Sequence, residues 1–122
     1  MTIQVIHDLI EKSEQAKDMP QTFISCRGEL AREFSVSKKL VEEKEVSPAA
    51  FSLSVFNTPI ALATIAFGLQ GGYSVVFPSH GNFRNAFEAA CAPILSGEEK
   101  EVMLVYADEL VPEAYKAFGT EN

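Results

Sequence analysis

Between Pro59 and Leu69 the chain reads PIALATIAFGL, with apolar residues on every side of a helical wheel and no charge. In a protein that folds in water, such a helix calls for cover all round, because apolar surface left in water loses the free energy of burial. The run is too short to cross a bilayer, which takes about 20 residues. It is therefore expected to form a buried helix, Thr58 to Phe67, with Asn57 as its cap and Pro59 in its first turn. Gly68 and then Gly71-Gly72 end it.

The elements around this helix suggest what covers it. TFISC (Thr22–Cys26), SVVF (Ser74–Phe77) and VMLVY (Val102–Tyr106) are short β-branched and aromatic runs, so strands. Amphipathic helices are expected over Met1–Lys17, with Ile3, Ile6 and Ile10 on one face, and over Glu29–Glu45, with Leu30, Phe34 and Val41 on one side. Val46-Ser47-Pro48 stops the second, and Ser47 can cap a short turn that begins at Pro48. Asn82–Leu95 forms a further helix. Strands alternate with helices and lack in-out alternation, which predicts an α/β layer with a small, mainly parallel sheet covered on both faces. Three strands are few for an all-apolar helix, so part of its surface is expected to be covered by another chain.

At 122 residues the chain reads as one domain, spanning residues 1–122. Its formal net charge of −7 argues against nucleic acid or an anionic membrane as partner. Cys26 and Cys91 sit in no CxxC or His-rich context and are expected to be reduced, buried thiols. The start MTIQVIHDLIEKSEQ carries acids early and lacks the basic, then apolar, layout of a signal peptide, so a cytoplasmic protein is expected. No metal-ligand set, phosphate loop or dinucleotide fingerprint occurs, so neither metal nor cofactor is expected.

The one stretch that invites chemistry is SVVFPSHGNFRNAFEAACAPIL, Ser74 to Leu95, a strand that turns sharply into a helix. A helix N-terminus offers unpaired amides and the positive end of a dipole, suited to an oxyanion or an activated nucleophile. Ser79 is the candidate nucleophile and His80 its neighbour. The elbow pattern G-x-S-x-G is half met: Gly81 is present, but Phe77 stands at the first glycine. Adjacent side chains at a helix start diverge, so His80 is poorly placed as the base, and His7 on the first helix reads as a surface residue. Ser79 as an N-cap, beside a partly exposed His80, explains the same residues without catalysis.

Three stretches, SPAAFSLSVFNTPIALATIAFGLQGG, the corner with its helix through VMLVYADE, and VPEAYKAF, together resemble the N-terminal half of β-ketoacyl synthases. The upstream TFISCRGEL fits as well, so the likeness runs from about Thr22 to Phe118. It is nearest to the short ketosynthase-like proteins of chain-length-factor type, which accompany fatty-acid-like, polyketide and aryl-polyene pathways. The resemblance implies half of a thiolase-like fold, with the apolar helix in a core near a dimer interface. In complete ketosynthases the corner carries a cysteine nucleophile, and two histidines come from the second half.

This sequence departs at those points. Serine stands at or next to the cysteine position, these 122 residues do not include the second half with its histidines, and Phe56 occupies a position where such short relatives commonly show His. A serine needs a positioned base to react. Cys91 cannot stand in, lying about three helical turns beyond the corner. The expected function is a non-catalytic subunit that pairs with a catalytic ketosynthase and helps to shape the acyl tunnel. Phe51, Phe56, Asn57, Ile60, Phe77, Phe83 and Phe87 are the candidates for the tunnel or interface, with ordinary core packing as the alternative for each. Acyl carrier proteins are typically acidic, so an acidic surface should leave their docking to another subunit, despite a modest basic cluster at Arg27, Arg32, Lys38 and Lys39. Two alternatives remain: a minimal acyltransferase or hydrolase using Ser79 with a base supplied in trans, and a structural remnant that self-dimerises.

Overall fold

The structure, a computed structural model, describes residues 1–79 and 82–116. Its elements run α1 (Thr2–Lys12), a 3-10 turn (Glu14–Asp18), β1 (Gln21–Ile24), α2 (Leu30–Glu43), α3 (Pro48–Ser52), α4 (Thr58–Phe67), β2 (Tyr73–Val76), α5 (Phe83–Leu95), β3 (Met103–Tyr106) and α6 (Glu113–Lys116). The expected first helix, Met1–Lys17, is thus two pieces: Ser13 takes an extended conformation (φ −154°) and breaks it. The chain divides into two compact units. One is Met1–Cys26 with Pro59–Ala107; the other is Arg27–Thr58 with Asp108–Asn122.

The first unit holds the sheet. Its order is β2-β1-β3 and both pairings are parallel, with Phe23 opposite Val75 and Val105. The crossovers that parallel strands require are supplied by α2–α4 between β1 and β2, and by α5 between β2 and β3. One face of the sheet carries Phe23, Met103, Val105 and Val75, packed with Ile6, Ala16, Ile60, Ala63 and Leu69. α1 and α4 therefore cover this face. The opposite face presents Ile24, Val76 and Tyr106, and there the Phe83 ring at the start of α5 meets Tyr106 edge-on (5.2 Å, 86°). Thr22 and Ser74, in register on that face, bring their hydroxyls to 3.4 Å.

Cover on both faces is complete only for the central strand. All four residues of β1 are buried, whereas β3 alternates buried and exposed, leaving Leu104 and Tyr106 accessible. β3 thus shows the in-out alternation that the sequence reading did not expect, because it is an edge strand and α5 reaches little of it. α4 departs from expectation in the same way. Ile60 and Ala63 are fully buried, but Leu62 is accessible and Ile65 is 79% exposed. The helix is apolar all round and buried on one face only.

Past α4, the chain threads close to the strand entrances. Gln70 donates its amide to the Lys17 carbonyl (2.9 Å) and Gly72 accepts from the Gln21 amide (3.0 Å). A Cβ at Gly71 would overlap the Met19 carbonyl, so only glycine fits between these backbones.

In the second unit α2 packs along α3. Ser47 caps α3 as expected, accepting from the Ala50 amide (3.4 Å). Leu30 and Phe34 of α2 are half-buried, and Phe34 meets Tyr115 edge-on (5.4 Å). Val41, expected on the same apolar side, is 78% exposed: it lies in the last turn, and no residue of α2 is fully buried. The Arg27 amide donates to Asp108 Oδ1 (2.8 Å) and its Nη1 to the Glu109 carbonyl (2.7 Å), tying the two segments of this unit together. Among the described residues no helix is long and apolar enough to cross a membrane.

Candidate functional site

Parallel α/β sheets offer ligands the ends where their strands finish, because loops diverge there. In the first unit that edge is made by Ser25-Cys26 after β1, by Phe77-Pro78-Ser79 after β2, and by Ala107 after β3. The pairing extends one step past β1, where the Ser25 amide donates to the Val76 carbonyl (3.4 Å). Ser25 is fully buried and Cys26 half-buried, and Cys26 forms no disulfide. The sequence reading expects Cys26 to be a buried thiol at the end of a strand; it is only half-buried, because it lies just past the last paired residue. Its place at the strand-exit edge followed from the strand ending at Ile24, and nothing in its own local motif marked it.

Beyond β2 the chain turns over Pro78, which is fully buried, and Ser79 emerges exposed. The Ser79 carbonyl accepts from the Asn82 amide (2.8 Å). Asn82 in turn caps α5, its side-chain oxygen accepting from the Asn85 amide (3.4 Å). The cap of α5 is therefore Asn82, not Ser79, whose hydroxyl is left over from the capping. His80 and Gly81 lie outside the described residues. His7 is placed elsewhere. It sits against the ring of Phe67 (5.9 Å), the last residue of α4, near where β2 begins, whereas Ser79 follows the strand's other end. Among the described residues no base reaches Ser79. Cys91, half-buried in the third turn of α5, is no closer a substitute.

Phe77 beside the corner is 60% exposed, Phe83 is held by Tyr106, and Phe87 one turn further on is 47% exposed. Ile60 lies in the core, where it packs α4 against the sheet. In the second unit Phe51 on α3 is 60% exposed, and Phe56 and Asn57 are half-buried. The Phe56 ring lies directly over Gly28, whose φ of +55° and missing Cβ both suit glycine there. The basic cluster is largely paired: Arg32 Nε donates to Glu29 (3.2 Å), and Lys38 lies 3.9 Å from Glu42.

A His, an Asp and a Glu on α1 (His7, Asp8 and Glu11) bring ligand atoms within 4.8 Å of one another. All three are exposed, and the same spacing gives ordinary helix-surface pairs, His7 lying 3.6 Å from Asp8 and 3.7 Å from Glu11.

The geometry can be set beside known proteins. The family model described as beta-ketoacyl synthase, N-terminal domain, matches residues 1–122. Among solved structures, the chain superposes with a TM-score of 0.83 on one from the complex of the ketosynthase ApeO with its chain length factor ApeC from Xenorhabdus doucetiae. The two are 21% identical over 96% of this chain and 48% of that one, so the present chain spans about half the length of its solved relative. No curated protein matches it. The fold is half of a thiolase-like fold, a three-stranded parallel sheet with its helices.

Proposed function

The chain belongs to the beta-ketoacyl synthase N-terminal domain family, and from that premise we propose that it acts as a non-catalytic subunit of chain-length-factor type. In this reading residues 1–122 form one ketosynthase-like domain that pairs with a catalytic ketosynthase in the cytoplasm and helps to bound its acyl tunnel. The pathway is fatty-acid-like, polyketide or aryl-polyene biosynthesis, and the acyl carrier protein is engaged through the partner.

The observation that carries this reading is where the uncovered apolar side chains fall. Residues 46–83 contain no Asp, Glu, Lys or Arg; the whole charge complement lies on either side. Within that stretch Leu62, Ile65, Phe77 and Phe83 are exposed in the first unit, and Phe51 and Val55 separately in the second. Scattered apolar residues on a surface are normal, but charge depletion together with exposed aromatics marks the centre of an interface. The exposed Ser79 hydroxyl, with no base among the described residues, fits a subunit that has lost the reaction.

The test is co-expression with a ketosynthase encoded beside it, followed by native mass spectrometry. A one-to-one complex with no acyl adduct on this chain is expected. A monomer or homodimer that captures no ketosynthase sinks the proposal.

One observation favours a second reading. Ser79 is exposed at the approach to a capped helix, where an acyl-enzyme oxyanion could be held. As an acyltransferase or hydrolase with a base supplied in trans, the protein should be labelled on Ser79 by a serine-directed acylating probe, and Ser79→Ala should lose activity in a reconstituted system.

A further inference from the structure

A second feature, independent of partner and corner, lies within the Arg27–Thr58 unit. Arg32, Ser35, Val36 and Lys39 follow the i, i+3, i+4, i+7 spacing of one helix face, and that face of α2 lines a cavity of about 180 Å³. Val46, Ser47 and Ala50, from the turn and α3, close the other side. The turn is made by Lys44, which adopts the left-handed conformation (φ 56°) and donates its amide to the Leu40 carbonyl (3.1 Å).

The lining is unusual for this molecule. The chain carries 17 acidic against 10 basic residues, and five of its glutamates lie within residues 29–45. None of them lines the cavity, whereas two cations do. Lys38 is committed to Glu42. Lys39 makes no ion pair within 4 Å among the described residues; it also borders the adjoining cleft with Glu43 and Glu45. Arg32 spends its Nε on Glu29, which leaves the guanidinium's terminal nitrogens. Ser47 uses an oxygen lone pair to cap α3, so its hydroxyl hydrogen remains available to donate, as does that of Ser35. Val36, Val46 and Ala50 supply the rest of the wall.

We propose that this cavity binds a small organic carboxylate with a short aliphatic body. Lys39 and Arg32 hold the headgroup, the two serine hydroxyls donate to it, and the Val36–Val46–Ala50 wall covers the body. Val36 and Ala50 are half-buried and Val46 is 38% exposed, so this wall shields the body on one side only, and the volume restricts it to a few carbons.

The full chain is titrated with sodium butyrate, acetate and inorganic phosphate at constant ionic strength, and backbone amide shifts are followed by NMR. Butyrate is expected to saturate, to bind more tightly than acetate, and to shift residues 32–39 and 46–50. Lys39→Gln should weaken it roughly threefold or more, the loss of one solvent-exposed ion pair, while Lys38→Gln leaves it unchanged. Both side chains are on the surface, so neither variant threatens folding. Failure of butyrate to saturate, equal binding by phosphate, or indifference to Lys39→Gln each overturns the proposal.

Discussion

α2 and α4 stand on either side of the short α3 in sequence and are opposites in composition. α2 carries Arg32, Glu33, Lys38, Lys39, Glu42 and Glu43 over fourteen residues, and none of its side chains is fully buried. α4 carries no charge over ten, buries Ile60 and Ala63, and still leaves Ile65 to solvent. α2 is at home in water, with its own surface pairs and its own C-terminal turn. α4 gains from the sheet on one side and loses on the other, since the apolar area of Leu62 and Ile65 gains nothing until something covers it. α4 thus combines a face buried against the sheet with an apolar face left in solvent, which the proposed partner would cover.

The widest separation between the two helices should appear in stability. Ile60→Ala removes a fully buried side chain beneath the sheet and is expected to cost about 3 kcal/mol by chemical denaturation. Val41→Ala on α2 should move the midpoint by less than about 0.5 kcal/mol, because that side chain is already in water. Comparable losses at both positions would remove the distinction. Gly71→Ala probes the far end of the α4 connection, where a methyl group meets the Met19 carbonyl rather than a side chain that can swing aside. A loss of about 2 kcal/mol is expected there, with the same measurement.

The outer face of α4 should behave in the reverse manner. Ile65→Asp is expected to change stability by no more than about 0.5 kcal/mol, yet to weaken capture of the partner ketosynthase at least tenfold by co-purification or interferometry. Capture that survives the substitution would place the interface elsewhere and leave the exposed isoleucine unexplained. The matched control is Val41→Asp on α2, where no change in capture is expected.

Much of this contrast was legible in the sequence, and the parts that were not share a cause. The α4 run, the parallel sheet, the Ser47 cap and the corner before α5 depend on local pattern, and each element formed within a few residues of its expected place. The break at Ser13, the exposure of Val41 and the half-solvated β3 depend on what packs against what, which periodicity does not encode. At the corner, Ser and Asn both cap helices well, and only the backbone path shows that Asn82, not Ser79, takes that role. The sequence ends the first strand at Cys26 and groups Arg32 with Lys38 and Lys39, but only the helix geometry separates Lys38, paired with Glu42, from Arg32 and Lys39 on the face that lines the cavity.

The smallest expected effect concerns how α2 ends. Lys44 holds a left-handed conformation that a Cβ disfavours by roughly 1–2 kcal/mol, and glycine is the usual occupant of such a helix-ending position. Lys44→Gly relieves that cost but lets the unfolded chain gain entropy, so the net gain should be under about 1 kcal/mol in the denaturation midpoint. The sign is the informative part. A gain means that α2 stops where its own backbone dictates, needing nothing from outside, in contrast to α4. A loss would mean that the Lys44 side chain holds the turn through contacts of its own, and α2 would then lean on its surroundings as well.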